Sequence, residues 1–394
     1  MTDDPIVIVG MARTPMGGFQ GDFASLRAPD LGAAAIRAAV ERAGVKPDAI
    51  DDVIMGCVLP AGQGQAPARQ AALGAGLPKS TGTTTINKMC GSGLKAVMMA
   101  HDSLLAGQYS VMVAGGMESM TNAPYLLPKA REGLRMGHAS VIDHMFFDGL
   151  EDAYNPGQLM GCFAELCAKE MNFSREAQDE FAIRSLTRAQ KATEDGSFAG
   201  EITPVKVITK KEEITVLIDE QPGKARLDKI PTLKPAFAKD GTVTAANASS
   251  ISDGAAALVL MRRSEADKRG LTVLATIKGH ATHAQDPEWF TTAPVGALQK
   301  LSRKTGWSLG DVELFEINEA FAVVTLAAMK ELDLPADKVN VHGGACALGH
   351  PIGASGARVL VTLVAAMQKY DLKKGMATLC IGGGEAVALA VERP

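Results

Sequence analysis

Two cysteines in this chain sit where a thiol can do chemistry. Cys90 lies in the run Asn87-Lys88-Met89-Cys90-Gly91-Ser92-Gly93, between a β-branched segment and an apolar helical one. A sharp strand-to-helix turn projects a nucleophile into a site, and glycine lets a substrate approach closely. A helix N-terminus beside the sulfur favours the thiolate. The alternative is an inert thiol buried in a tight turn. Cys380 ends an apolar run and is followed by Ile381 and then Gly382-Gly383-Gly384. Backbone N–H groups beside it can hold a thioester oxygen as charge develops. The triple glycine can also be read as a phosphate loop. It lacks the Lys-Ser/Thr of a P-loop and does not match G-x-G-x-x-G, which disfavours nucleotide.

A base is available in Asn340-Val341-His342-Gly343-Gly344-Ala345-Cys346-Ala347-Leu348-Gly349-His350-Pro351. A neutral imidazole accepts the proton of a nearby thiol. A lone histidine is more often structural, but the glycines around this one free backbone donors. Asn318, in Asn318-Glu319-Ala320-Phe321, stands at a strand end, where it can hold a water or donate to an oxyanion. Taken alone, it reads more readily as a helix cap.

Periodicity places these residues on alternating elements. Strands are expected at 6–9, 53–55, 83–86 and 110–114, with helices at 31–43, 66–73 and 92–106. The last third repeats the pattern. Strands are expected at 273–277, 312–317, 339–342 and 377–381, and helices at 320–330 and 354–368. The alternation points to an α/β fold with a parallel core sheet. The middle, from Thr121 to Ala246, carries more charge and proline and a polar helix at 175–191. It reads as an insertion that covers a site, or as an ordinary surface subdomain. Lys210-Lys211-Glu212-Glu213 reads as a solvated turn.

Composition bounds the partners. The chain has 394 residues, 46% hydrophobic and 21% charged, and a net charge of -4. That is a folded protein with no overall positive field for nucleic acid. No apolar run reaches the roughly 20 residues that a membrane span needs. The acidic start Met1-Thr2-Asp3-Asp4-Pro5 is not a secretory or transit leader, so the expected location is cytoplasmic. The six cysteines form no C-x-x-C pair, which argues against a structural zinc site on thiols.

Together these segments resemble the thiolase family over essentially the whole chain. The likeness rests on Asn87-Lys88-Met89-Cys90-Gly91-Ser92-Gly93, Ala114-Gly115-Gly116-Met117-Glu118-Ser119-Met120, Asn318-Glu319-Ala320-Phe321, Gly349-His350-Pro351 and Cys380-Ile381-Gly382-Gly383-Gly384. The resemblance implies two similar α/β halves in a five-layered sandwich, residues 1–120 with 247–272 and residues 273–394. A loop domain, 121–246, is inserted. It implies that Cys90 is acylated, His350 takes its proton, and Cys380 is the acid/base at the substrate α-carbon. Asn318 would hold a water at the enolate oxygen, and the N–H groups of Cys90 and Gly382 an oxyanion hole. Ser249 and Ala248 would line the CoA arm. Leu159, Met160, Ala320 and Phe321 would shape the acyl pocket.

The activity implied is a reversible thioester Claisen condensation of two acetyl-CoA to acetoacetyl-CoA and CoA. The alternatives are a degradative 3-ketoacyl-CoA thiolase of broader chain length and, from another class, a non-catalytic acyl-CoA or lipid binder. No cofactor or metal is expected, since the substrate carries CoA; a homotetramer is. The chain departs from the family pattern at Leu159, where biosynthetic members have His, at Glu385-Ala386 after the glycines, and at Cys346. Cys346 reads as an oxidation liability near His350.

Overall fold

The computed structural model describes residues 4–208 and 212–394. Lys210 and Lys211 of the expected solvated turn lie outside the described residues. Glu213, at its end, starts a strand and pairs with Lys206. In chain order, the first part forms β1 (Ile6–Arg13), β2 (Gly17–Gly18), α1 (Ala28–Ala43), β3 (Asp52–Gly56), α2 (Pro67–Gly74), β4 (Gly82–Ile86), α3 (Ser92–Leu105) and β5 (Val111–Ser119). The middle forms β6 (Tyr125–Leu126), β7 (Ile142–Asp143), α4 (Met160–Glu170), α5 (Arg175–Glu194), β8 (Val205–Ile208), β9 (Glu213–Val216) and α6 (Glu220–Lys224). The remainder forms β10 (Ser252–Arg262), α7 (Arg263–Arg269), β11 (Ala275–Ala284), α8 (Ala293–Thr305), β12 (Leu314–Ile317), α9 (Ala322–Leu332), α10 (Ala345–Leu348), α11 (Ser355–Lys369), β13 (Lys374–Ile381) and β14 (Glu385–Glu392).

Ten strands make one sheet in the order β12-β13-β14-β11-β1-β10-β5-β3-β4, with β2 beside β10. The two halves join through a short antiparallel pairing, Val7 with Thr276 and Ile8 with Ala275. The sheet is mixed, which corrects the expected parallel core. Only β3–β4, β3–β5 and β12–β13 run parallel. The reason is connectivity: β10 returns after the long middle segment to pair antiparallel with both β1 and β5, and β13 turns back into β14 through the glycines.

The side-chain alternation of the strands sorts the core into layers. In β1, Val7 and Val9 face α1 and α2, while Ile6 and Ile8 face the opposite way. In β14, Ala386, Ala388 and Ala390 face α8 and α9, while Val387, Leu389 and Val391 face inward. Helices α3 and α11 lie between and touch strands of both halves. The result is helix, sheet, helix, sheet, helix. A middle-layer helix is covered on both sides along most of its length, so apolar residues dominate it. Accordingly, every residue of α11 from Ser355 to Met367 is buried. Each fully buried Leu or Val there contributes roughly 1.5–3 kcal/mol.

The expected strand at 339–342 is instead a turn with one bridge, Val339 to Phe315. Asn340 adopts φ 50° and ends the pairing. Its side chain replaces the lost ladder, accepting from Ile317 N and donating to Ile317 O, both at 2.8 Å.

Candidate active site

The turn that carries Cys90 is built under strain. Met89 takes φ 47°, a left-handed conformation costly for a residue with a Cβ. Ser92 holds the turn closed: its Oγ accepts from Lys88 N at 2.8 Å and donates to Met89 O at 2.7 Å. Lys88 pairs with Glu385, so the departure at 385 ties the Cys90 turn to the glycine turn after Cys380. In that second turn Gly383 and Gly384 have φ 92° and 83°. A Cβ on Gly384 would stand 2.3 Å from Gln285 O, so both conformation and space require glycine.

Cys90 opens onto a cavity of about 630 Å³. The thiol does not rest as the expected thiolate. Burial pushes its pKa up to about 11, against the downward pull of the N–H groups of Gly382 and of Cys90 itself. Desolvation at this site outweighs the helix terminus. Cys380 packs with Phe163, Ala248, Phe290 and Phe321 and is 1% exposed. Burial raises its pKa well above the ordinary thiol value, and the neighbouring Cys90 raises it further.

His350 also lines the cavity. Its Nδ1 meets Ser355 Oγ at 2.6 Å, and Ser355 Oγ donates to Pro351 O at 2.9 Å. The one hydroxyl hydrogen is spent on Pro351, so His350 Nδ1 carries the proton and Nε2 presents a lone pair. That Nε2 is buried and has no partner in the protein. Burial first, and then the Arg358 charge, lower the His350 pKa to about 3, so the ring is neutral at rest. The loop is held from behind by Glu118, which accepts from Gly353 N at 2.9 Å and from Val58 N and Leu59 N. Burial raises the Glu118 pKa to about 7.

Asn318 does not cap a helix: α9 begins at Ala322, with Phe321 as its cap residue. The residues after Asn318 run extended beside 247–249, with Ser249 N donating to Ala320 O and Ala322 N to Asn247 O. Asn318 Oδ1 lies 3.5 Å from Arg358 Nη2, and its buried Nδ2 has no partner in the protein.

Of the residues singled out in the sequence, Cys90, His350, Gly382, Leu159 and Met160 line the cavity, as do Ala248, Ser249, Ala320 and Phe321. Cys380 and Asn318 are not in the lining; both are buried. Cys346 is not in the lining either. Its thiol donates to Glu319 O at 3.7 Å, and burial, then the Glu319 carboxylate, hold its pKa well above normal. The middle region supplies much of the wall: Phe146, Phe147, Tyr154, Phe237 and Ala245. Sequence reasoning missed the aromatic residues Phe237 and Phe290, which flank Phe321 at centroid distances of 6.0 and 6.4 Å. It also missed Ser355 and Arg358, although both lie within eight residues of His350 on the apolar helix that follows it.

A buried neutral base, a thiol in the wall of the same cavity beside Gly382, and a second buried thiol form a set suited to acyl transfer through a thioester. The comparisons agree. Residues 6–264 match the model of the thiolase N-terminal domain, and residues 271–393 that of the thiolase C-terminal domain. The chain is 52% identical over 396 residues to an acetyl-CoA acetyltransferase of Cupriavidus necator, covering 100% of both. It is 51% identical over 389 residues to one of Escherichia coli, covering 98% of each. The crystal structure of the Bacillus anthracis acetyl-CoA acetyltransferase superposes with a TM-score of 0.97 at 41% identity, over 99% of both chains. This chain belongs to the thiolase family.

Proposed function

We propose that the protein is an acetyl-CoA C-acetyltransferase, joining two acetyl-CoA into acetoacetyl-CoA and CoA, reversibly, through an acetyl group on Cys90. The observation that carries this reading is a thiol and a neutral imidazole, its buried Nε2 without a partner, in the wall of one cavity that Gly382 also lines. The Cys90 proton passes to His350 Nε2 as the sulfur attacks the first thioester. The N–H groups of Cys90 and Gly382 hold the oxyanion. CoA leaves as a thiolate and takes the proton of Cys380. The Cys380 thiolate then removes an α-proton from the second acetyl-CoA. Its enolate oxygen is held by the new Nε2–H of His350 and by Asn318 through a water. The enolate carbon attacks the acetyl group, and Cys90 is expelled and regains its proton from His350. Each enzyme group ends in its starting protonation state, the α-proton replacing the Cys380 proton that left with CoA, so no metal or redox group is required.

The relatives named acetyl-CoA acetyltransferase support this reading. Ser249 and Ala248 contact the CoA arm, and Leu159, Met160, Ala320 and Phe321 bound the acyl group. We extend the reading to a homotetramer, a cytoplasmic location and a role in fatty acid metabolism. No helix among the described residues is long and apolar enough to cross a membrane. A second reading, cleavage of longer 3-ketoacyl-CoAs, is favoured by the cavity volume and by Leu159 in its wall.

The decisive experiment pairs a variant with a substrate series. Cys380→Ser should still take up label from acetyl-CoA on Cys90 but form no acetoacetyl-CoA. Normal condensation by that variant would overturn the assignment. In the wild type, CoA-dependent cleavage should fall steeply beyond four-carbon 3-ketoacyl-CoA; equal rates across lengths would establish the second reading.

A further inference from the structure

Away from the cavity, three side chains from distant parts of the chain converge on one point. His101 and Asp102 lie on α3, and His280 lies on β11 of the other half. Asp102 Oδ1 stands 2.9 Å from His101 Nδ1 and 2.8 Å from His280 Nε2. The ligand-capable atoms of all three fall within 4.8 Å of one another. Among the described residues no other group of three does so. None of the three lines the acyl cavity.

The cluster is ordered by packing. The two imidazoles meet edge to face at 5.1 Å between centroids, and their side chains are only 11% and 12% exposed. Asp102, at 59%, faces solvent, which leaves an entry path. Burial first lowers the pKa of both histidines. In the structure both facing nitrogens donate to Asp102, and metal binding requires each ring to move that proton to its other nitrogen. The nearest cation is Lys304, whose Nζ is held on His280 O at 3.1 Å. It opposes a cation electrostatically, and the Asp102 carboxylate offsets it.

We propose that His101, Asp102 and His280 form a surface site for a divalent transition-metal ion of the zinc class. Two imidazoles and one carboxylate suit zinc and exclude calcium and magnesium, which take oxygen donors. Tetrahedral zinc with bonds near 2.0–2.2 Å separates its ligand atoms by about 3.4 Å. Asp102 must therefore withdraw by about half an ångström, which its exposed side chain allows, the two imidazoles, whose ligand atoms lie within 4.8 Å, must settle to the same spacing, and a solvent molecule completes the fourth position. Because the ligands come from both halves, the ion clasps the central helix α3 to β11 and raises the melting temperature without entering the acyl chemistry.

The test is calorimetric titration of zinc chloride into chelator-treated full-length protein whose Cys90 has been capped with iodoacetamide, so that the active-site thiol does not compete. One zinc per chain is expected, with loss of that site in His280→Asn and in Asp102→Asn and a zinc-dependent rise in melting temperature in the wild type alone. No binding, or binding unchanged in His280→Asn, would overturn the site and leave a hydrogen-bonded His–Asp–His cluster. Anomalous diffraction at the zinc edge from a soaked wild-type crystal gives a second reading that needs no variant. A peak between the three side chains supports the site; its absence there refutes it.

Discussion

Replacing Ser355 with alanine tests whether the orientation of His350 is set as the structure indicates. Ser355 is fully buried and makes two hydrogen bonds, to His350 Nδ1 at 2.6 Å and to Pro351 O at 2.9 Å. Alanine removes both partners' companion and leaves the Nδ1–H facing carbon. One lost hydrogen bond costs about 1 kcal/mol, and an unsatisfied buried donor about 1–3 kcal/mol. The ring can escape the second penalty by moving its proton to Nε2, but that converts the base into a donor and removes the acceptor for the Cys90 proton. Either way the barrier to acylation rises by about 2–3 kcal/mol, or roughly 30- to 150-fold in rate. Substrate binding uses other wall residues, so the loss belongs in kcat and not in KM. The assay is steady-state cleavage of acetoacetyl-CoA by CoA, together with burst measurement of Cys90 acylation and a melting curve to show that the variant is folded. A kcat within twofold of wild type in a folded variant would refute the account of how the imidazole is held.

His342 carries an acid sensitivity of the fold. Burial, then the Lys369 charge, hold its pKa at about 4 against an unfolded value near 6.5. Between those values the unfolded chain binds more protons, so stability is full above pH 6.5 and lost as pH falls. At pH 5 the loss is about 2 kcal/mol, and His342→Phe should remove it; equal urea midpoint shifts from pH 7 to 5 in both proteins would contradict this. Gly116→Ala would place a Cβ 2.0 Å from Gly353 O, pushing on the loop that carries His350. A destabilisation of about 1–3 kcal/mol with a sharp drop in kcat is expected, and a fully active variant would show that the loop can yield. Lys88→Met breaks the ion pair with Glu385, which is about one-quarter to one-third exposed at each partner. Solvent screens it, so the melting temperature should move by no more than about 1 kcal/mol corresponds to; a larger shift would make the pair structural.

The sequence alone determined which chemistry was available and where many of the elements lie, but not the strands 252–262 and 385–392 or the helix 293–305. Gly91 and Gly93 after Cys90, the three glycines after Cys380 and the His350-Pro351 turn are local features, because a nucleophile turn needs particular residues at particular offsets. The alternation of apolar runs with glycine turns was enough for two α/β halves, since burial imposes its own period on each strand and helix. What depends on long-range pairing was not legible. The antiparallel place of β10 between β1 and β5 follows from a return across the whole middle segment, which no local pattern records. The end of the 339–342 segment as a turn depends on Asn340 reaching Ile317, twenty-three residues away. The protonation state of Cys90 depends on how far the folded site removes it from water, and the neutral tautomer of His350 depends on Ser355 spending its proton on Pro351. Desolvation and hydrogen-bond direction are properties of the assembled site, and only the tertiary structure decided them.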